Sequence, residues 1–243
     1  MNAIQINNLT RRYGSLVAVD ALNLTIQQGE LFALLGVNGA GKTTTIKMLS
    51  CLSTPTSGDA ILLGNSIVSN PFAVKAKINV SPQETAIAPN LTVRENLELI
   101  AGIYGDAPKD VVRKTEAMLK RLGLEAVSRQ RAKTLSGGWQ RRLSIAMALI
   151  SDPQILFLDE PTLGLDVIAR RELWQVIQSL KGRMTIILTT HYLEEVEALA
   201  DRAGVMAAGK LKAVGTVEEL LALTGTKKFE DAFISLAVEG KVA

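Results

Sequence analysis

The residues from Gly36 to Thr43 have the types and the spacing of a loop that binds a chain of phosphates. They read Gly-Val-Asn-Gly-Ala-Gly-Lys-Thr and fit the pattern G-x-x-x-x-G-K-[ST]. The glycines allow backbone N–H groups to approach phosphate oxygens without Cβ clashes, and the helix predicted to follow directs its positive end at the same charge. Lys42 would contact the β- and γ-phosphates, and the Thr43 hydroxyl would bind Mg²⁺. The predicted nucleotide ligands are Gly36, Val37, Asn38, Gly39, Ala40, Gly41, Lys42, Thr43 and Thr44.

The alternative for this loop is a glycine-rich turn that happens to be followed by a lysine. An apolar run, Leu31 to Leu35, leads into the loop, and a helical pattern from Lys42 to Leu52 leads out of it. A strand before the loop and a helix after it are the context that the phosphate-binding pattern requires. The context therefore favours a nucleotide site.

Two adjacent carboxylates, Asp159 and Glu160, follow the apolar run Ile155 to Leu158. A short, continuous apolar run is typical of a strand that is buried on both faces of a parallel sheet. At the end of such a strand Asp159 would hold Mg²⁺, directly or through water, and Glu160 would orient the attacking water or accept its proton. The alternative is an acid pair at the start of a helix, and the phosphate-binding loop favours the metal interpretation.

Two more polar residues stand at the ends of predicted strands. Gln83 follows the predicted strand Ile78 to Val80, and His191, the only histidine, follows the predicted strand Met184 to Thr189. Ligands of open α/β sheets bind in the crevice at the carboxyl ends of the strands. A lone histidine is usually structural, but its position beside the loop and the carboxylates predicts a contact with the γ-phosphate.

A second potential anion site begins at Ser136-Gly137-Gly138, where a helical pattern opens. A serine and two glycines at the start of a helix leave backbone N–H groups for an anion. An ordinary helix cap with a flexible lead-in is the alternative, and taken by itself this stretch favours the cap.

The N-terminal region predicts a small β layer ahead of the loop. Short alternating patterns around Ile4 to Ile6 and Leu22 to Ile26 are separated by a connection, Arg11 to Asp20. Tyr13 lies in this connection. Its ring would either stack on a base or lie half-buried at a sheet edge, and the residues leave both possibilities open.

The region from Glu84 to about Ser151 predicts helices in succession. Thr92 and Glu95 form a capping-box pattern, and a second helix is predicted from Pro108 to Leu122. Successive helices break the alternation of strands and helices. We therefore predict an α/β fold: a P-loop NTPase core with a mainly parallel sheet, an N-terminal antiparallel β subdomain and an inserted α-helical subdomain.

The predicted organisation is a single nucleotide-binding domain over residues 1–243. Its catalytic core with the β subdomain comprises residues 1–83 and 152–215, the helical subdomain residues 84–151, and a short helical tail residues 216–243. With 47% hydrophobic residues and a net charge of +3, the chain has the composition of a globular protein and no basic excess that would predict nucleic-acid binding. The single cysteine, Cys51, agrees with a reducing, cytoplasmic location.

The order of these motifs resembles that of the nucleotide-binding subunit of an ATP-binding cassette (ABC) transporter, over nearly the whole chain. Six motifs follow one another in the family's order. They are Walker A (Gly36 to Thr43), the Gln83 loop, the signature stretch Leu135 to Gln140, Walker B (Ile155 to Asp159) with Glu160, the Asp166 loop and His191. The short tail is similar to the ATPase subunits of bacterial two-component, ABC-2 type exporters. Trp139 and Leu163 depart from the residues that are usual in the signature and in the Asp166 loop.

The resemblance implies an ATPase that uses ATP and Mg²⁺ to drive a separate integral-membrane permease, an exporter, from the cytoplasmic face of the membrane. It implies two chains paired head to tail as a homodimer, so that Ser136, Gly137 and Gly138 of one chain close on the γ-phosphate held by the other. It also implies that Tyr13 stacks on adenine, that Gln83 joins the metal site to the permease, that Asp166 lies near the nucleotide and that His191 senses the γ-phosphate.

Two alternatives to a transporter subunit follow from the same loop. A soluble cassette ATPase acting on ribosomes or DNA usually carries two cassettes or a long coiled-coil insertion, and this chain shows neither. A P-loop kinase or GTPase would leave the signature stretch unexplained, and the Asn-Lys-x-Asp guanine motif is absent. The motifs do not specify the transported substrate.

Overall fold

Residues 1–238 are described by the computed structural model, and they form two β-sheets with helices around them. The strands are β1 (Asn2–Tyr13), β2 (Leu16–Gln27), β3 (Leu31–Leu35), β4 (Ser57–Leu62), β5 (Asn65–Ser66), β6 (Ile78–Ser81), β7 (Ile155–Asp159), β8 (Thr185–Thr190), β9 (Arg202–Ala207) and β10 (Lys210–Gly215). The α-helices are α1 (Lys42–Leu49), α2 (Pro71–Lys75), α3 (Val93–Ile103), α4 (Pro108–Arg121), α5 (Gly137–Leu149), α6 (Val167–Leu180), α7 (Leu193–Leu199), α8 (Val217–Thr224) and α9 (Phe229–Val238).

The larger sheet has the strand order β10-β9-β3-β8-β7-β6, with every neighbouring pair parallel except β9 and β10. All residues of β3, β7 and β8 are buried. Strands that are covered on both faces need apolar side chains at almost every position, which is the pattern that predicted them. Because these strands are parallel, the segments that follow β3, β6, β7 and β8 all leave from one edge of the sheet.

The smaller sheet is antiparallel, in the order β2-β1-β4-β5. The prediction that Arg11 to Asp20 is a connection was wrong, because Arg11 pairs with Val19 and only a tight turn at Gly14 separates β1 from β2. The register of this pair shifts at several points between Asn2 and Arg12. Each shift moves later side chains to the other face, so the alternation that marks a strand is lost from the sequence although the strand continues.

Helices α3, α4 and α5 lie between β6 and β7, as predicted for the helical insertion, and share one hydrophobic core. The predicted capping box is confirmed: the Glu95 N–H donates to Thr92 Oγ1 at 3.2 Å, and the Thr92 N–H donates to Glu95 Oε2 at 2.7 Å. Val93 and Leu97 are fully buried, whereas Ile103 is 69% exposed. Within residues 1–238, no helix combines the length and the apolar character needed to cross a membrane.

One buried side chain anchors the segment that leads from β6 to α3. Asn96 is 0% exposed, and its Oδ1 accepts from the Ala88 N–H at 2.8 Å. Its Nδ2 donates to the Ala88 carbonyl at 3.1 Å and to the Thr92 carbonyl at 2.9 Å. The amide thus replaces a missing strand or helix partner for the backbone of Ala88 on both its N–H and its C=O.

Replacing Asn96 with alanine should lower the free energy of unfolding by about 2 kcal/mol, because the Ala88 N–H loses its acceptor and the Ala88 carbonyl keeps only the Leu91 N–H as a donor. Equilibrium unfolding in urea measures the change. Asn90→Ala is the matched control, since within residues 1–238 the Asn90 side chain accepts a single hydrogen bond, at the exposed surface, from Lys133 Nζ at 3.1 Å. Equal stability of the two variants would contradict the anchoring role of Asn96.

Candidate functional site

An open cleft of about 670 Å³ lies at the carboxyl edge of the larger sheet. Many of the residues predicted to take part in nucleotide binding, metal binding or catalysis line this cleft. They are Tyr13, Asn38, Gly39, Ala40, Gly41, Lys42, Thr43, Thr44, Gln83, Glu160 and His191. They come from the hairpin of the smaller sheet and from the segments after β3, β6, β7 and β8. The parallel order of the strands is what brings these distant parts of the chain to one place.

The loop before α1 fits a phosphate group. A Cβ atom at Gly41 would lie 2.4 Å from the Ala18 carbonyl oxygen, and the φ angle of Gly41 is 104°, so a side chain is excluded there on both grounds. Helix α1 begins at Lys42, within the described part of the chain, with no side-chain cap and no acidic residue in its first turn. Its first N–H groups therefore remain available for an anionic ligand.

The Lys42 ammonium is buried under this loop, with the residue 5% exposed. Its Nζ atom donates to the Gly36 carbonyl at 2.8 Å and to the Val37 carbonyl at 3.3 Å, and lies 3.2 Å from Glu160 Oε1. A buried charge needs an opposite charge or several acceptors close to it. Here the carbonyls of the loop and the Glu160 carboxylate provide both.

Thr43 and Asp159 form a set of oxygen ligands that fits Mg²⁺. Thr43 Oγ1 donates to Asp159 Oδ1 at 3.1 Å, and Thr189 Oγ1 donates to the same oxygen. Within residues 1–238 no group of three or more His, Cys, Asp and Glu side chains could hold a metal ion. Mg²⁺ commonly binds one or two protein oxygens and keeps waters and substrate phosphates as its other ligands, so a hydroxyl and a carboxylate beside a phosphate loop suit it. Gln83 lines the same cleft.

Glu160 is held from several directions. Its φ angle is 48°, in the left-handed region that costs a non-glycine residue about 1 kcal/mol or more. The backbone N–H of Glu160 donates to the carbonyl and to Oγ1 of Thr189, at 3.1 and 3.0 Å. Its carboxylate lies between Lys42 and the Nδ1 atom of His191, which is 2.7 Å from Oε2. These contacts orient the carboxylate in the cleft.

His191 lies against Glu160 and packs beside Tyr192, with 4.2 Å between the ring centroids. An ionised carboxylate only accepts hydrogen bonds, so with Glu160 ionised the imidazole hydrogen is on Nδ1. The His191 side chain is 30% exposed and lines the cleft. The structure thus brings His191 to the carboxylate at the end of β7 and to the phosphate loop together.

Tyr13 lies on the rim of the cleft and is 46% exposed. The guanidinium carbon of Arg11 is 4.6 Å from the centroid of its ring. The hydrogen bond from Arg11 is the largest influence on the hydroxyl and lowers the pKa of Tyr13. The residue lies at the end of β1, an inner strand of the smaller sheet, where the strand reaches the cleft.

Seven predicted ligands lie outside the lining of the cleft within the described residues. Three of them, Gly36, Val37 and Asp159, adjoin it through hydrogen bonds with Lys42 or Thr43. The other four are Ser136, Gly137, Gly138 and Asp166. Ser136 precedes α5 without capping it through its side chain. Asp166 Oδ1 accepts from the N–H groups of Ile168 and Ala169, both at 2.9 Å, and caps α6. Helix α6 therefore begins at Val167, directly after this cap.

Sequence reasoning missed two residues that support the site, Thr189 and Arg141, and a buried carboxylate on α7, Glu195. Thr189 bonds both Asp159 and Glu160. Arg141 is 4% exposed and donates to backbone carbonyls of three residues around the cleft. Glu195 is 0% exposed, accepts from Trp174 Nε1 at 3.1 Å, and has its pKa raised by burial. A threonine in a buried strand, an arginine on a helix and a glutamate on a helix are common in any protein, so no motif marked them.

Comparisons with known proteins agree with this geometry. A family model described as ABC transporter matches residues 19–163. The chain is 39% identical to the daunorubicin resistance ATP-binding protein DrrA3 of Streptomyces coeruleorubidus, over 94% of this chain and 72% of that protein. It is 40% identical to the Nod factor export ATP-binding protein I of Cupriavidus metallidurans, over 90% of this chain and 72% of that protein. It spans 41% of the probable multidrug ABC transporter ATP-binding protein YbhF of Escherichia coli, at 38% identity.

Solved structures show the same architecture. An ATP-binding subunit of an ABC transporter matches with a TM-score of 0.84 and 26% identity, over 96% of this chain and 99% of that one. A dimeric, post-hydrolysis structure of an ATP-binding cassette bound to ADP and Pi matches with a TM-score of 0.78 and 26% identity, over 88% of this chain and 98% of that one. The fold class predicted from the sequence is confirmed. The chain belongs to the ABC transporter family, and it is an ATP-binding ATPase of that family.

Proposed function

We propose that this chain powers a separate integral-membrane permease, by ATP-driven head-to-tail pairing of two copies. The observation that carries the proposal is the convergence of Lys42, Thr43, Asp159, Glu160 and His191 on one cleft at the carboxyl edge of the sheet. Relatives whose names specify drug resistance and Nod factor export support an exporter. In this assignment the chain lies on the cytoplasmic face of the membrane, and residues 84–151 act as a helical subdomain.

The chain's own groups divide the work of hydrolysis among them. The N–H groups of the loop and of the first turn of α1 hold the phosphates, and Lys42 places its charge beside them. Mg²⁺, when bound at Thr43 and Asp159, neutralises charge on the phosphate oxygens. Glu160 orients the attacking water and accepts its proton, while His191 holds the Glu160 carboxylate and contacts the γ-phosphate.

The ion pair between Lys42 and Glu160 also has a role in this mechanism. A bound polyphosphate offers Lys42 a second anion, with more negative charge than the carboxylate. As Lys42 turns to the phosphates, Oε1 of Glu160 loses its 3.2 Å partner and becomes available to a water molecule. The Glu160 base is thus freed from its ion pair with Lys42 only when the substrate is bound.

The signature residues complete the site of a partner copy. Ser136 to Gly138 open α5 with a helix N-terminus that does not line the cleft of their own chain. A helix start of this kind binds anions, and a head-to-tail pair would direct it at the γ-phosphate of the other chain. In that pair Tyr13 stacks on adenine, Asp166 lies near the nucleotide through its loop, and Gln83 links the metal to the permease.

Glu160→Gln should bind ATP at least as tightly as the native chain, because the amide no longer competes for Lys42. Its turnover should fall by about 10²- to 10⁴-fold, since the general base is lost. ATP titration and single-turnover hydrolysis measure the two effects, and gel filtration with ATP should reveal a trapped dimer. Glu194→Gln is the control, because the exposed Glu194 side chain forms, among the described residues, a single long ion pair, with Arg170 at 3.6 Å. Undiminished hydrolysis in Glu160→Gln would remove this residue from the base role.

Two inactive variants should restore activity when they are mixed. Lys42→Ala should weaken nucleotide binding, and Ser136→Glu should repel the partner's γ-phosphate while suiting the start of its own helix. In a head-to-tail pair one mixed site carries both changes and the other carries neither, so random pairing should recover about a quarter of native turnover. Steady-state ATPase assays of the separate and mixed proteins measure this. No recovery on mixing, with both variants folded, would refute the shared site.

The permease assignment predicts that the affinity-tagged chain, extracted from its native membranes in mild detergent, copurifies with a polytopic membrane protein. Mass spectrometry of the purified complex identifies the partner. The matched sample is the tagged Glu160→Gln chain with ATP, whose trapped state should retain the partner at least equally well. Copurification with ribosomal proteins or DNA in its place would support a soluble cassette ATPase and contradict the permease assignment.

A further inference from the structure

A single buried guanidinium connects α5 with the segments that follow β6 and β7. Arg141 Nη1 donates to the Pro82 carbonyl at 2.6 Å, and Nη2 donates to the Gln83 carbonyl at 2.8 Å. Nη2 also donates to the Glu160 carbonyl at 3.1 Å. Within the described part of the chain, all its hydrogen-bond acceptors are main-chain carbonyls. Placing a charge in the interior to bond neutral carbonyls is costly for stability, which argues for a role in geometry.

The hydrogen bond from Arg141 to Glu160 is made at a residue whose backbone conformation is strained. Glu160 has a φ angle of 48°, and Thr189 bonds its N–H. Its carbonyl accepts from Arg141 and, at 3.2 Å, from the Leu163 N–H. The strained residue is therefore held at both of its backbone polar groups. A rotation of this backbone would displace the carboxylate, because the side chain is attached to it.

Arginine suits this task for a reason of shape. Its planar guanidinium carries donors on separate nitrogens, which here reach carbonyls on two different segments at once. A lysine ammonium places its charge in the same region but carries its donors on one atom. A lysine at this position therefore keeps the positive charge but cannot donate to the two segments from separate nitrogens.

We propose that Arg141 is a positioning residue for hydrolysis, which holds the backbone of Glu160 in place by using α5 and the Pro82-Gln83 segment as anchors. The inference rests on the proposed role of Glu160 as the base. Because Ser136 to Gly138 lie at the start of α5, Arg141 also ties the position of that helix start to the position of the base.

The first experiment compares Arg141→Lys and Arg141→Gln with the native chain in steady-state ATP hydrolysis. Both variants should lose about 10- to 100-fold in kcat, the loss expected when a reacting group is misplaced by about 1 Å, while KM changes less than about threefold. Equal losses of kcat in the two variants would show that hydrolysis requires the donors on separate nitrogens of the guanidinium. Full activity in Arg141→Lys would show that a positive charge alone suffices and would overturn the proposal.

The control is Arg142→Lys, on the same helix, where a lysine can still pair with Glu172. It should keep native kcat and KM. Urea unfolding of all three variants separates stability from catalysis: a kcat that recovers when each variant is assayed at low temperature, where it is fully folded, would mean that Arg141 only stabilises the fold and would contradict the proposal. Should Arg141→Gln fail to fold, Arg141→Lys still gives the answer.

A double-mutant cycle tests whether Arg141 acts through Glu160. Adding Arg141→Lys to Glu160→Gln should lower the residual turnover by less than about threefold, since the group being positioned is already absent. A further 10- to 100-fold loss, by contrast, would show that Arg141 acts elsewhere. The outcomes separate the two proposals. Native turnover in Glu160→Gln would refute the function of Glu160, whereas a large loss there with native turnover in Arg141→Lys would refute the role of Arg141 alone.

Discussion

Parallel hydrogen bonding between β6, β7, β8 and β3 is the constraint on which the rest of the structure depends. The register pairs Leu35 with Thr190, Asp159 with Thr189, and Ser81 with Leu158. Asp159 is itself one of these paired residues, and the phosphate loop, Glu160, His191 and Gln83 begin within two residues of them. Their proximity is therefore a consequence of backbone pairing, and the side chains do not have to bring the segments together.

The second constraint is the burial of charge at that edge. Lys42, Asp159 and Glu160 are each 5% exposed or less, and each has its partners supplied by backbone carbonyls, hydroxyls or an opposite charge. Partners held in place by a rigid sheet need little reorganisation when a ligand arrives. In the proposed mechanism, the ion pair of Lys42 and Glu160 is the contact that a bound polyphosphate replaces.

The helical insertion is joined to this edge through more than one link. Asn96 fixes the segment after β6 onto α3, and Arg141 bonds the same segment and the Glu160 backbone from α5. Both side chains satisfy backbone groups that no strand or helix satisfies. A displacement of the insertion relative to the sheet would therefore be felt at Gln83 and at Glu160 through hydrogen bonds, without any contact with the nucleotide.

The features that the sequence alone determined are those that depend on neighbours a few residues apart. The glycines of the phosphate loop, the capping box of Thr92 and Glu95, and the apolar runs of β3, β7 and β8 specify local backbone geometry. The paired strands around Arg11 escaped prediction because bulges break the alternation that marks a strand. A local sequence pattern reflects local backbone geometry. A bulge disrupts the alternation of apolar and polar residues, although the strand itself continues.

Only the tertiary structure decided which side chains reach the site from a distance. Arg141 and Arg142 are adjacent on α5, but the side chains of successive helical residues point about 100° apart. In the packed structure Arg141 faces the interior and bonds the Glu160 carbonyl, whereas Arg142 pairs with Glu172. The same packing placed Ser136 to Gly138 outside the cleft of their own chain. Arg141 is separated from Pro82 and Gln83 by nearly 60 residues, so no periodicity relates them. The contact exists because the sheet and the insertion pack together, and it is determined by that packing alone.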